Sequence, residues 1–272
     1  MVAKNYKSLP NYDFLRRDNQ RQLTRINNIF VETELAVRGL KLIRTDIIKS
    51  KSQNVEQVSV SGTNSKGKPV QISRKIDVVK NLLDDRITSK EYVQSLVFSI
   101  ALTEEYLSKT LVRVIRAYPH KLFISPKGGK TKDDQALMVD MNDVIRRSTI
   151  GEIILEKAEQ RVRDAMYASP AQYHSYYSSV LGFKISDQVW LSFVELKATR
   201  DVFVHGDGKA NNIYIKKAGR LARAVEGQSL PVDLAYLNQS MTCMKRIFTE
   251  SYIGLREHHG NSLPLKSILE GP

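Results

Sequence analysis

Three ionisable side chains interrupt an apolar helical pattern in the stretch TRDVFVHGDG, at Arg200, Asp201 and His205. A guanidinium is a planar donor that suits phosphate oxygens, and an imidazole can accept or donate a proton near neutral pH. Together they suit metal-independent cleavage of RNA, in which a ribose 2′-oxygen attacks the adjacent phosphate. Asp201 precedes His205 by four residues, on the same helix face, so we expect it to hydrogen-bond one ring nitrogen and fix the tautomer.

Arg200 occupies a position that an ordinary amphipathic helix gives to leucine. It falls between Leu196 and Phe203 on a stripe of apolar residues that also contains Val189 and Phe193. A guanidinium that faces a core costs several kcal/mol unless it is paired and hydrogen-bonded. The position therefore predicts a charged partner, a solvated cleft or a ligand.

Glu104 is the predicted partner of Arg200. It fills the missing position of a second apolar stripe, which consists of Val93, Val97, Ile100, Leu107, Leu111 and Val114. Two helices thus each turn one charge, of opposite sign, toward the core, so we expect Glu104 and Arg200 to meet or to face one polar cavity. A purely structural ion pair is the alternative, but the nearby histidine at a helix end favours a functional site.

Two glycines, Gly206 and Gly208, follow His205 closely. Glycine readily adopts the left-handed conformation that ends helices, so the helix is predicted to end at His205. On an ideal helix Arg200 and His205 point about 140° apart. A distorted last turn would bring the imidazole nearer the guanidinium.

The charge of the chain indicates a polyanionic partner. Its 272 residues include 42 Lys and Arg against 29 Asp and Glu, a formal net charge of +13. Nucleic acid, an anionic membrane and an acidic protein all fit such a charge, and RNA fits the chemistry of the motif best. One histidine per chain is little for two proton transfers, so a homodimer with two copies of Arg200 and His205 in one cleft is expected.

The segment from Arg200 to His205, with the following HGDGKANN, resembles the R-x4-6-H motif of the HEPN superfamily. The resemblance covers roughly residues 89 to 256. It implies an all-α bundle, a dimer with a composite cleft and a metal-independent endoribonuclease, often a toxin or an anti-phage defence effector. HEPN toxins that pair with a nucleotidyltransferase antitoxin have a tyrosine two residues after the histidine. Asp207 stands there in this chain, which argues against that pairing.

Further residues near the motif are candidates for contacts to RNA. We expect Lys209, Asn211 and Asn212 to contact phosphate or sugar, although asparagine and glycine also serve simply to form turns. His258 and His259 are interpreted as a solvated helix end, because no carboxylate or cysteine completes a metal site around them. No metal and no cofactor is predicted.

A second class of function stays open. The same bundle could be a non-catalytic HEPN-like module that binds a nucleotide, a nucleic acid or a protein. A basic helical DNA-binding protein is a third idea, but no helix-turn-helix spacing supports it. Cleavage of RNA, as against binding alone, separates the first two possibilities.

Apolar periodicity predicts an all-α helical bundle with one or two small inserted β-hairpins. Helices are predicted over residues 12–50, 76–85, 89–118, 140–168 with a break near 148, 187–205 and 232–255, and a shorter helix or a turn over residues 169–183. Residues 55–73 indicate a β-hairpin or a mobile loop, and residues 209–231 contain two short runs that could form a second hairpin. Capping boxes are predicted at Thr88–Glu91 and Thr149–Glu152. Residues 1–88 are predicted to form an N-terminal accessory region and 89–272 the HEPN-like bundle, unless the two form one continuous domain.

Cys243 is the single cysteine, which rules out an intramolecular disulfide and a thiolate zinc site. It lies within an apolar helical pattern and is therefore predicted to belong to the core. No signal peptide and no apolar segment of membrane-spanning length is visible, so we expect a cytoplasmic protein in a reducing compartment, without a membrane partner.

Overall fold

A computed structural model describes residues 10–51, 56–125 and 149–260 of the chain. The elements in these ranges are, in order, α1 (Pro10–Lys51), β1 (Gln57–Thr63), β2 (Pro69–Lys75), α2 (Ile76–Asp85), a π-helical turn (Arg86–Lys90), α3 (Glu91–Ala117), a 3₁₀ turn (Pro119–Phe123), α4 (Ile150–Met166), α5 (Pro170–Leu181), α6 (Asp187–His205), α7 (Asn212–Ala218), a second 3₁₀ turn (Gly219–Leu221) and α8 (Leu234–His259). The predicted mostly α fold with a small hairpin insert is confirmed. None of the described helices is long and apolar enough to cross a membrane.

The central helix of the bundle is α3, which packs against α1, α4, α5, α6 and α8. Its large apolar side chains with no exposed surface recur at four and seven residues, and they are Leu96, Ile100, Leu107, Leu111 and Ile115. The helix ends where the sequence predicts it to end. Tyr118 leaves the helical conformation, with φ −133° and ψ 76°, because the ring of Pro119 disfavours the α region for the residue before it.

The long N-terminal helix α1 shares the core of the bundle. Its buried side chains Leu15, Ile26, Ile29 and Val37 belong to one hydrophobic cluster together with residues of α3, α4, α5, α6 and α8. The apolar stripe of α1 is thus covered by the helices that follow it. A boundary at residue 88 stays a prediction.

The first predicted hairpin is present as an antiparallel pair, β1 and β2, with residue 57 opposite 75 and residue 63 opposite 69. The side chain of Asn64 organises its turn by accepting the N–H groups of Lys66 (2.9 Å) and Lys68 (3.0 Å). Gly67 supplies the left-handed residue of the turn, with φ 71°. The hairpin therefore forms from local turn chemistry.

The second predicted hairpin, over residues 209–231, is wrong. The helix α7 and a 3₁₀ turn occupy the middle of this range, and its one strand-like pairing is an isolated bridge between Lys209 and Ser229. The helix forms because the Asn211 side chain caps it by accepting the N–H of Tyr214 at 2.8 Å. Tyr214 and Ala218, four residues apart, are then buried against α6.

The two predicted capping boxes have different outcomes. Thr149 caps α4, since its side-chain oxygen accepts the N–H of Glu152 at 3.3 Å. The part of the predicted 140–168 helix before residue 149 lies outside the described residues. Thr88 does not cap α3, because the chain is already helical there, and the Thr88 hydroxyl donates to the Asp84 carbonyl at 2.8 Å.

Cys243 lies in the core of α8, as predicted. Its thiol is buried, with the sulfur 3.5 Å from the Val189 carbonyl oxygen. Burial raises the pKa of this thiol to about 12. The thiol is therefore protonated at neutral pH and is a poor nucleophile.

Two histidines are buried in the bundle. His174 of α5 stacks on Trp190, with ring centroids 4.4 Å apart, and its Nε2 lies 3.0 Å from the Ile185 carbonyl. His259 was expected at a solvated helix end but is buried, with its Nε2 2.8 Å from the Leu181 carbonyl. Burial lowers the pKa of both imidazoles below 6.5, although the carbonyl contacts act in the opposite direction.

We expect the free energy of unfolding to fall as the pH decreases below about 6.5. In this window the unfolded chain protonates His174 and His259 while the folded protein does not, so the unfolded state binds more protons and gains stability. Two such groups give a slope of up to about 2.7 kcal/mol per pH unit. Urea unfolding at several pH values measures the slope, and His174→Gln and His259→Gln should each reduce it. Stability that is flat from about pH 6.5 to 5 would contradict this expectation.

Candidate active site

The helix α6 presents the predicted arginine and histidine to one cleft of about 890 Å³. Side chains from α3, α4, α5 and α7, with the turn between α4 and α5, complete the wall. The α6 residues in the wall are Trp190, Phe193, Val194, Lys197, Arg200, Asp201 and His205. Their spacing keeps them on one side of the helix, with Arg200 and His205 at its two edges, about 140° apart. The volume falls in the range of small-molecule and cofactor sites.

The predicted ion pair between Glu104 and Arg200 is present in the wall. Arg200 Nη2 lies 3.3 Å from Glu104 Oε1 and 3.2 Å from Oε2. Lys197 Nζ also contacts Glu104 Oε1, at 2.8 Å. One carboxylate thus holds two cations, and the guanidinium is fixed in orientation. Within the described residues Arg200 Nη1 donates no hydrogen bond, which leaves it for a ligand.

Asp201 contacts cations instead of the histidine. Its Oδ2 accepts a hydrogen bond from Lys217 Nζ at 3.1 Å, and its Oδ1 lies 2.9 Å from Arg200 Nε. The Nε–H does not point at Oδ1, so this contact is an ion pair without a hydrogen bond. The expected hydrogen bond from Asp201 to His205 is absent from the described part of the chain. Asp201 therefore positions Arg200 and Lys217, not the imidazole.

His205 is the last residue of α6, and its exposed imidazole makes no hydrogen bond to any described residue. The glycines after it act differently from expectation. Gly206 is not left-handed, with φ −142°, but a Cβ there would lie 2.8 Å from the Val202 carbonyl oxygen. The left-handed residue is Gly208, with φ 80°. The imidazole is thus carried on a defined helix end and is free to contact a ligand.

The three further candidates lie beside the cleft motif in sequence but outside the cleft. Lys209 Nζ lies 3.4 Å from Asp207 Oδ2. Asn211 caps α7, so it has a structural role, which was the alternative to a contact with RNA. Asn212 is the exposed first residue of that helix. None of these three described residues belongs to the cleft wall.

Sequence reasoning missed the other cations of the cleft, Arg163, Lys197 and Lys217. The position of Lys197 was predictable, because it precedes Arg200 by three residues and Asp201 by four on one helix. Lys217 was hidden by the wrong assignment of its segment to a hairpin. Arg163 comes from α4, and only tertiary packing brings that helix to the site.

A buried polar network lies on the opposite side of α6. The Glu195 carboxylate accepts hydrogen bonds from Thr199 (2.8 Å), Tyr214 (3.0 Å), Arg223 Nε (3.0 Å) and Tyr236 (2.7 Å). The guanidinium of Arg223 also covers the ring of Tyr236, at 3.5 Å from the centroid. Burial, the largest cause, raises the pKa of both tyrosine hydroxyls, which stay protonated and donate. The network ties α6 to α7, α8 and the segment between them.

The arrangement of charges in the cleft suits a phosphodiester. Four cationic side chains and two carboxylates border it, a formal net charge of +2, and they are Arg163, Lys197, Arg200, Lys217, Glu104 and Asp201. An anion attracted by this charge can meet a fixed guanidinium and an imidazole available for proton transfer. Among the described residues, no three His, Cys, Asp or Glu side chains come together as a metal site would require. Comparisons with protein-family models, with curated proteins and with solved structures found no match to this chain.

Proposed function

We propose that the protein is a metal-independent endoribonuclease. The observation that supports this most is that Arg200 and His205, which resemble the R-x4-6-H motif, border one cleft with a net positive charge. The 2′-oxygen attacks the adjacent phosphorus, the bond to the 5′-oxygen breaks, and the products carry a 2′,3′-cyclic phosphate and a 5′-hydroxyl. His205 takes the proton from the attacking oxygen or gives one to the leaving oxygen.

The other charged side chains serve to position Arg200 and to attract the substrate. Arg200 binds the phosphate and stabilises the charge that develops on it, an effect that depends on a preorganised donor. Glu104 supplies that preorganisation through its two contacts to Arg200 Nη2. Lys197 and Lys217 contact the side chains of Glu104 and Asp201 and, with the two arginines, give the cleft its net positive charge.

A homodimer is part of the proposal, because one imidazole cannot act as base and acid in the same step. Val204, beside His205, is 50% exposed and Ile213 is 64% exposed, so apolar surface near the motif is open to a second copy. Light scattering should give the mass of a dimer, and a monomer would contradict this part. Cleavage of cellular RNA would harm the host, so we further propose a cytoplasmic toxin or anti-phage effector that a neutralising partner restrains.

We expect the purified protein to cleave RNA in the presence of EDTA, because no step of the mechanism needs a metal. Mass spectrometry of the products should find 2′,3′-cyclic phosphate and 5′-hydroxyl ends, and a 2′-deoxy substrate should stay intact. Strict dependence on magnesium, or 5′-phosphate ends, would contradict the mechanism. Binding of RNA without cleavage would favour the non-catalytic HEPN-like module instead.

A further inference from the structure

The cleft wall changes character along α6. From Trp190 to Val194 it is apolar and aromatic, and from Lys197 to His205 it is ionic. With a rise of 1.5 Å per residue, Val194 and Arg200 are about 9 Å apart along the helix axis. A site for a bare phosphate needs only the ionic half. The apolar half offers room for a flat apolar group next to an anion.

The apolar half combines a fixed wall with one exposed ring. Its side chains come from α4, from the residue after it, and from α5 and α6, and they are Met166, Tyr167, Pro170, Trp190, Phe193 and Val194. Trp190 is fixed, because its Nε1 donates to the Pro170 carbonyl at 3.2 Å and its ring stacks on His174. Tyr167, directly after α4, is 91% exposed. A large aromatic ring that borders a cleft and is exposed in the described part of the chain is suited to stack on a ligand.

We propose that this apolar half is a nucleobase subsite, and that an unpaired base stacks on Tyr167 while its phosphate lies at Arg200. The inference rests on the proposed ribonuclease function and specifies its substrate as single-stranded RNA. Every base has a π-face that an aromatic side chain can cover, whatever the sequence. A base inside a duplex is already stacked on its neighbours and cannot enter the subsite. Lys197 lies at the boundary between the apolar and the ionic half of the cleft, because its Nζ is 5.7 Å from the Tyr173 ring centroid and 2.8 Å from Glu104 Oε1.

A short single-stranded 2′-deoxyoligonucleotide is the probe for this subsite, because it keeps the bases and phosphates but lacks the attacking hydroxyl. Trp190 is the only tryptophan of the chain, so its fluorescence reports binding in the cleft directly. We expect the oligonucleotide to change the Trp190 emission. An abasic strand of the same length should bind roughly 5- to 150-fold more weakly, and a preformed duplex should also bind more weakly.

Variants of Tyr167 separate stacking from charge. Tyr167→Ala should weaken binding of the oligonucleotide to a similar extent as removal of the bases, and Tyr167→Phe should retain it because the ring remains. The exposed position of Tyr167 means that neither change disturbs the core. Phe123→Ala is the matched control, since Phe123 is 74% exposed and does not border the cleft. It should bind like the wild type.

Equal affinity for natural and abasic strands, or unchanged affinity of Tyr167→Ala, would overturn the subsite. If the wild type still cleaves RNA in that case, the ribonuclease proposal stands. Base-dependent binding without any cleavage of RNA would support the subsite and overturn the ribonuclease proposal. Failure of the nucleobase subsite can therefore be distinguished from failure of the ribonuclease proposal.

Discussion

We expect replacement of His205 by alanine to lower the rate of RNA cleavage by about 10²- to 10⁴-fold, the usual contribution of one general acid or base. Of the described residues that border the cleft, His205 is the only histidine. Its side chain is exposed and has no hydrogen bond to a described residue, so its removal should change the free energy of unfolding by less than about 0.5 kcal/mol. Loss of activity would then report chemistry and not unfolding.

Arg200→Ala is the companion variant, with an expected loss of about 10²- to 10³-fold for one preorganised donor. The fold should persist, because Glu104 keeps Lys197 as a partner at 2.8 Å. Arg200→Lys should recover little, since a lysine cannot offer two parallel donors to a phosphate. His120→Ala is the control, at an exposed histidine outside the cleft. Full activity of either alanine variant, with a native circular dichroism spectrum, would refute the roles given to these residues.

We expect replacement of Glu195 by alanine to lower the free energy of unfolding by about 3–5 kcal/mol, because the buried carboxylate is lost and the partly buried Arg223 guanidinium is left without it. The change leaves Arg223, Tyr214, Tyr236 and Thr199 without their shared acceptor. Each buried donor that loses its partner adds a desolvation cost. Urea unfolding of the variant and the wild type measures the difference.

Glu105→Ala is the matched control for the Glu195 variant. Glu105 forms an exposed pair with Lys109 on α3, and such pairs contribute less than about 1 kcal/mol. A Glu195→Ala loss as small as that of Glu105→Ala would show that the network does not hold the helices together. Because the network also fixes α7, which carries Lys217 to the cleft, the Glu195 variant should bind anionic ligands more weakly.

The longer helices and the Glu104–Arg200 pair were predictable because apolar periodicity reports which face of a helix is buried. A charge inside such a stripe must be compensated, so Glu104 on α3 and Arg200 on α6 indicated each other from the sequence alone. The buried stripe of α3, with Leu107 and Leu111, and that of α8, with Met244 and Phe248, follow the same logic. These signals are local to one helix and do not depend on how the helices pack.

The remainder of the site depends on contacts that the sequence does not reveal. The short run around Tyr214 has the pattern of a strand. It forms a helix because Asn211 caps the first turn and because Tyr214 is buried against α6. In the sequence, Glu195 cannot be distinguished from an ordinary polar residue of a helix, because three of its hydrogen-bond partners lie 19 to 41 residues away along the chain. Asp201 accepts a hydrogen bond from Lys217, and not from His205, because α7 packs beside it.

A structure of the protein with a bound single-stranded 2′-deoxyoligonucleotide tests the shared role of Arg200 and His205 most directly. We expect one phosphodiester group within hydrogen-bond distance of both the Arg200 guanidinium and the His205 imidazole, inside the cleft that α6 borders. A strand bound elsewhere on the surface, or a phosphate that contacts neither side chain, would contradict the proposed site.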